Sequence, residues 1–140
     1  MKILFDTNII LDVLLNRQPF VDLSAGLLSL AENKTIEAYL CATSITTIDY
    51  LLSKSINRQQ SKVEMQKLLK IFQISEVNAA VIDLAIKSTF KDFEDAVQYF
   101  SGDYCEVNGL VTRNIKDYQQ AEYPVYSPKE LWSLVTREMQ

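Results

Sequence analysis

The sequence predicts an α/β layered fold around a mostly parallel sheet, and three observations carry that prediction. Short apolar runs alternate along the chain with longer segments whose apolar residues recur at helical spacing. The 140 residues contain no internal repeat, no low-complexity stretch and no Pro/Gly/Ser linker, so residues 1–140 read as one domain. The 48% hydrophobic and 23% charged content is that of an ordinary globular chain, and a domain near this size typically hides about two-thirds of its unfolded surface.

The elements follow in order. Residues 2–5 form an apolar run fit for a buried strand, ending at Asp6-Thr7-Asn8. Ile9, Ile10, Val13 and Leu14 then recur at helical spacing, so strand passes directly into helix. Residues 20–32 carry a second helical stripe through Leu23, Leu27, Leu28 and Leu30. Residues 36–42 alternate and are β-rich, and Thr43 or Ser44 is the expected cap of a helix reaching Ser55. Residues 58–72 and 79–90 read as amphipathic helices, with a short strand at 73–77 between them. Asp92 opens a helix that places Phe93, Ala96, Val97 and Phe100 on one face. Residues 109–112 and then Val125-Tyr126 are brief strands, and Pro128 starts the terminal helix. In sheets of this kind ligands sit beyond the carboxyl ends of the strands, where Asp6 and the Thr112-Arg113-Asn114 turn both fall.

Composition removes whole classes of chemistry. There is no histidine, which excludes Ser-His-Asp and Cys-His catalysis and nearly every catalytic zinc arrangement. The three glycines, Gly26, Gly102 and Gly109, form neither a Walker loop nor a Gly-x-Gly fingerprint. Cys41 and Cys105 are far apart in apolar surroundings and read as buried thiols of a reducing compartment. No apolar run approaches the roughly 18 residues that span a bilayer, and Asp6 comes too early for a signal peptide. The expected location is the cytoplasm. What remains for catalysis is carboxylates, hydroxyls, amides, lysines and arginines, and carboxylates gathered from separate segments suit magnesium or manganese. The net charge of −4 is unfavourable for phosphate contacts, but a divalent ion in an acidic cluster reverses the local sign.

Taken singly, the acids are ambiguous. Asp6 at the end of a strand reads equally as the cap of the next helix. Asp49 projects beside the apolar face marked by Ile45 and Leu52, where an ionised carboxylate is costly unless paired or metal-bound. Asp92, Glu94 and Asp95 crowd one helix start. The helix dipole explains Asp92, as N-cap, and Glu94, whereas Asp95 can point back over the helix start towards the strand ends. Asp117 alone would pass for a loop aspartate.

Together the acids match a known pattern. Phe5-Asp6-Thr7-Asn8-Ile9-Ile10-Leu11-Asp12 resembles the opening motif of PIN domains, the family named after the N-terminus of PilT-like proteins. Asp92-Phe93-Glu94-Asp95-Ala96-Val97-Gln98-Tyr99 is similar to its third acidic motif. Val111-Thr112-Arg113-Asn114-Ile115-Lys116-Asp117-Tyr118 is similar to its fourth. The resemblance runs in order along nearly the whole chain. It implies a three-layer α/β/α sandwich and an acidic pocket that binds Mg²⁺ or Mn²⁺. It also implies endoribonuclease activity, and in many bacterial relatives, the VapC type among them, a toxin role beside an antitoxin partner, commonly as a homodimer. Carried over by residue, Asp6, Asp95 and Asp117 are metal ligands. Asp49 completes the catalytic acids, and Thr7, Asn8, Asp92, Thr112 and Asn114 support them. Two departures bear on metal affinity: Asp49 stands where the family usually has glutamate, and Asn114 where some relatives have another acid.

Substrate grip is expected from Lys54, Arg58 and Lys62, which recur every four residues, and from Arg113 and Lys116 beside the fourth motif. Two rivals compete with a metal-dependent ribonuclease. One is a PIN-like module that has lost turnover and only binds RNA or protein. The other is a phosphohydrolase with an aspartate nucleophile, which usually shows Asp-x-Asp where this chain has Asp6 followed by Asn8.

Overall fold

A computed structural model describes residues 1–138. Residues 139 and 140, counted in the domain from the sequence, lie outside the described residues. Strand β1 (Lys2–Phe5) passes through Asp6 into α1 (Thr7–Leu14), followed by α2 (Val21–Glu32), β2 (Glu37–Cys41), α3 (Ala42–Ser55) and α4 (Arg58–Ile71). Then come β3 (Gln73–Ser75), α5 (Ala79–Lys87), α6 (Phe93–Tyr104), β4 (Gly109–Val111), a short 3-10 helix (Ile115–Tyr118), β5 (Val125–Tyr126) and α7 (Pro128–Glu138).

The strands form one five-stranded sheet in the order β3-β2-β1-β4-β5, with every pairing parallel. A parallel sheet must be covered on both faces, and β1 shows how. Ile3 and Phe5 enter one core with α1, α2, α3, α4 and α7. Leu4, pointing the other way, joins Tyr39, Cys41 and Leu110 against α5 and α6. The three-layer α/β/α arrangement follows from that alternation. Close packing of α6 on the sheet depends on Gly102. A Cβ there would meet the Tyr123 hydroxyl at 2.6 Å and the Leu4 side chain at 2.9 Å.

Strand order reverses between β1 and β4: β2 and β3 extend the sheet one way, β4 and β5 the other. The carboxyl ends of β1 and β4 therefore open a crevice between connections that diverge. Asp6 and Thr112 are the first residues past those two ends. The Asp6 amide donates to Val111 O (3.0 Å) and the Thr112 amide to Tyr126 O (2.9 Å), which holds both in line with the sheet.

Two local expectations change. Helix α3 starts at Ala42 with Cys41 in the capping position and no side-chain cap bond, so Thr43 and Ser44 lie inside the helix. Ser44 is instead buried in the site described below. Helix α5 ends at Lys87 rather than continuing to Phe90. Ser88 adopts an extended conformation and its hydroxyl donates to Ala85 O at 2.8 Å. That turn frees Phe90 to pack against Tyr99, Phe100 and Tyr118. Both cysteines are free, Cys41 buried and Cys105 half-buried. Among the described residues no helix is long and apolar enough to cross a membrane.

Candidate active site

Asp6 leaves β1 with its carboxylate turned away from the helix it precedes. It makes no side-chain cap bond to α1. Its Oδ2 accepts from the Thr112 hydroxyl at 2.6 Å and its Oδ1 from Gln98 Nε2 at 3.2 Å. The residue is 6% exposed. Burial raises its pKa, and the Thr112 and Gln98 bonds only partly offset this. A carboxyl held this way is a costly anion until a cation reaches it.

Helix α6 supplies the second acid. Asp92 is its N-cap, accepting from the Asp95 amide at 2.9 Å. Capping fixes the first turn, and Asp95 then turns into the crevice, where its Oδ1 accepts from the Tyr118 hydroxyl at 3.2 Å. The Asp95 carboxyl is pushed up to about 7, first by burial and then by the negative charges of Asp6, Asp92 and Asp117. The 3-10 helix brings Asp117, exposed, to the rim of the same pocket.

Beneath the acids runs a buried chain of polar groups. The Thr7 hydroxyl donates to Ser44 Oγ (2.7 Å), and Ser44 donates to Gln98 Oε1 (3.2 Å). The Gln98 amide nitrogen donates both to Asp6 and to the Tyr118 oxygen (2.7 Å), whose own proton goes to Asp95. Burial and the nearby Asp6 and Asp95 charges drive the Tyr118 pKa well upward, so its hydroxyl remains a donor. Gln98 and Tyr118 together link the two acids from behind and set their separation.

The resulting pocket, about 260 Å³, brings together Asp6, Thr7, Asn8, Asp92, Asp95, Asn114 and Asp117, all anticipated from sequence, with Thr112 directly behind Asp6. Asp49 is not among them. Its carboxylate accepts from the Ser61 hydroxyl at 2.7 Å and faces α4, so the cost of its partial burial is met by a helix–helix contact. The face of α3 that reaches the pocket carries Thr47 and Leu51. Thr47 donates to Glu94 at 3.2 Å, which makes Glu94 a further acid of the lining. Arg113 is also placed differently from expectation. It grips the fully buried Asp12 through Nε (2.6 Å) and Nη2 (3.2 Å), and its guanidinium lies 3.9 Å over the Phe20 ring. Of the other expected grip residues, Lys54 lies 5.8 Å from the centre of the Tyr50 ring. Lys54, Arg58, Lys62 and Lys116 are all exposed.

Local sequence assigns no site role to Gln98, Tyr118 or Asp12, and makes Ser44 only a candidate helix cap. Gln98 lies three residues after Asp95, on the same helical face. Asp12 sits amid Ile9, Ile10, Leu11 and Val13, so if it is buried it needs a cationic or hydrogen-bonding partner. Neither clue names the partner.

Among the described residues no three acid or cysteine side chains converge on one ion position. The pocket instead pairs a buried carboxylate with a half-buried one and carries further acids at its edge, all hard oxygen donors. A family model described as the PIN domain matches residues 2–116. The chain belongs to the PIN domain family. The match stops one residue before Asp117, so that acid is tied to the site by geometry rather than by the model.

No curated protein matches the chain in sequence. Solved structures show the same PIN fold at low identity. A VapBC2 structure from Rickettsia felis, bound to a promoter DNA fragment, is 18% identical with a TM-score of 0.70, over 91% of this chain and 98% of that one. VapBC-1 from nontypeable Haemophilus influenzae is 16% identical with a TM-score of 0.70, over 92% and 99%. Mycobacterium tuberculosis VapC20, described as a Sarcin-Ricin loop cleaving toxin, is 12% identical with a TM-score of 0.62, over 77% and 86%.

Proposed function

We propose that this PIN domain is a divalent-metal-dependent endoribonuclease and the toxin half of a toxin–antitoxin pair. The observation that carries the reading is the pocket itself. Asp6 from the end of β1, Asp95 from α6 and Asp117 from the 3-10 helix line one crevice at the point where strand order reverses. The VapBC complexes and the cleaving toxin among its structural neighbours support the same reading.

The donor set fits Mg²⁺ or Mn²⁺ held by few protein ligands. Magnesium commonly keeps several waters and uses one or two carboxylates, and Asp6 and Asp95 would be those two. When bound, such an ion lowers the pKa of its water and stabilises charge on a phosphate. The protein's own part is positioning. Thr112 and Gln98 hold Asp6, Tyr118 holds Asp95, and Asp117 at the rim orients water entering from solvent. Asn8 and Asn114 line the pocket as neutral hydrogen-bonding groups that add no charge against a phosphate. Cleavage belongs in the cytoplasm, on RNA, with an antitoxin protein as regulator and a homodimer as the working form.

RNA would be drawn across the pocket by lysines on both sides. Lys54 continues the α3 stripe of Thr47 and Leu51, and Arg58 and Lys62 follow it on α4. Lys116, with Lys91, lines a cleft beyond Asp95 and Asp117. Purified protein should cleave RNA with Mn²⁺ or Mg²⁺ and stop in chelator. Cleavage that survives chelation would exclude this mechanism. The diversion of Asp49 and the lack of a three-acid convergence among the described residues favour a second reading, a PIN module that binds RNA or a protein without turnover. Metal-dependent cleavage distinguishes them. An aspartate-nucleophile phosphohydrolase fits less well, because Asn8 stands where such an enzyme usually has its second aspartate.

A further inference from the structure

Two further hollows adjoin the acidic pocket in turn along the surface. The pocket shares Asp92, Asp95 and Asp117 with a cleft of about 400 Å³ that adds Lys91 and Lys116. That cleft shares Gln120 with a third hollow of about 340 Å³, walled by Phe90, Tyr99 and Phe100 and edged by Lys87, Asp103 and Glu122. Two strips of chain line the three hollows in the same order. On one strip Asp92 lies in the acidic pocket, Lys91 in the cleft and Phe90 in the aromatic hollow. On the other, Asp117, Gln119 and Gln120 do the same. Gln120 Nε2 donates to Thr89 O at 3.1 Å and ties the strips together.

The walls of the third hollow pack against one another. Phe90 and Phe100 pack edge to face with centroids 6.0 Å apart, and Tyr99 and Phe100 do so at 5.0 Å. Phe90 and Phe100 are only half-buried, so part of each ring is open to a ligand. Lysines that follow a backbone, leading to aromatic rings, are the usual means of holding a single strand, since every base has a π face.

We propose that this hollow seats one unpaired nucleobase of a single-stranded RNA. The backbone of that RNA crosses the Lys91–Lys116 cleft and presents a phosphodiester to the acidic pocket. Phe90 and Asp92 are two residues apart, so their Cα atoms lie at most about 7 Å from each other. The seated base thus belongs to a nucleotide adjoining the reacting phosphate or to the next one along. A side chain of a protein partner would use the aromatic walls but has no need of lysines leading from them to the carboxylates.

The proposal rests on the nuclease reading, and the experiment separates the two. Wild-type protein in chelator is mixed with a short single-stranded RNA bearing 4-thiouracil, irradiated, and mapped by mass spectrometry. The same RNA is titrated by fluorescence anisotropy against wild type and Phe100→Leu, which keeps apolar volume but removes a π face. The expected results are cross-links on Phe90 or Phe100 and about five- to tenfold weaker binding by Phe100→Leu at unchanged melting temperature. Cross-links confined to other surfaces, with Phe100→Leu binding as wild type, would overturn the base seat and leave the hollow to a protein side chain. Mn²⁺-dependent cleavage in that case keeps the nuclease reading intact. Cross-links in the hollow without any cleavage would instead remove the nuclease reading and retain the base seat.

Discussion

Asp95 ionises against burial and against the charges of Asp6, Asp92 and Asp117 at once. Replacing it with asparagine keeps an oxygen for the Tyr118 hydroxyl but removes the repulsion. Asp95→Asn should therefore melt about 2–4 °C higher than wild type at pH 8 without metal. It should also lose both RNA cleavage and the stabilisation by Mn²⁺. A variant that still responds to Mn²⁺ in differential scanning fluorimetry would take Asp95 out of the site. Asp49 gives the opposite expectation, because its carboxylate is spent on Ser61. Asp49→Asn should retain cleavage within about threefold of wild type, a change worth under about 1 kcal/mol. A collapse of activity there would restore it to the catalytic set.

At the level of elements, the start of α6 and the tie between α1 and the turn after β4 make the sharpest predictions. Asp92 caps α6 through the Asp95 amide. Asparagine caps as well as aspartate, whereas alanine should cost about 1 kcal/mol in urea denaturation. Equal losses in Asp92→Asn and Asp92→Ala would mean that charge, not capping, is what matters there. Arg113 neutralises an Asp12 that is 0% exposed. Arg113→Ala should destabilise the fold by about 3 kcal/mol, with Arg17, 3.7 Å away, the remaining cation. Unchanged stability combined with weaker RNA binding would return Arg113 to the RNA path that the sequence placed it in. Most element positions were legible beforehand because periodicity survives in short windows. The α3 cap and the end of α5 were not, since Ser44 and Phe90 are drawn away by partners distant in the chain.

Across the whole molecule, the acids make stability depend on pH and on metal. The Asp95 pKa is raised on folding from the ordinary value of 3.8 to about 7. The folded state thus holds a proton that the unfolded state releases. That contribution is complete below about pH 4 and is lost as pH rises through about 7. The burial of Asp6 acts in the same direction. Metal-free protein should therefore lose melting temperature between pH 5 and pH 8, and saturating Mn²⁺ should flatten or reverse the slope by binding the ionised pair. Parallel pH curves with and without Mn²⁺ in thermal melts would show that no ion enters this pocket.

The amino-acid sequence by itself determined the layered parallel fold, the family and most of the pocket. Each of those depends on local information. Hydrophobic periodicity marks the elements, the change from strand to helix puts Asp6 at a strand end, and the acidic motifs are short and contiguous. Only the tertiary structure decided what each acid touches. In the sequence Asp49 looks like a working group because it lies beside an apolar face and at the family's second acidic position, and Arg113 because it lies in the fourth motif. The fold instead pairs Asp49 with Ser61 across two helices, and Arg113 with Asp12 from 101 residues away. Gln98 and Tyr118 carry no site signal of their own in the sequence, yet they hydrogen-bond the two central carboxylates. The physical reason is the same in every case. A charged or polar group leaving water takes whatever partner the packing brings within hydrogen-bond distance, and that partner is set by the crossing of distant segments rather than by neighbours in the chain.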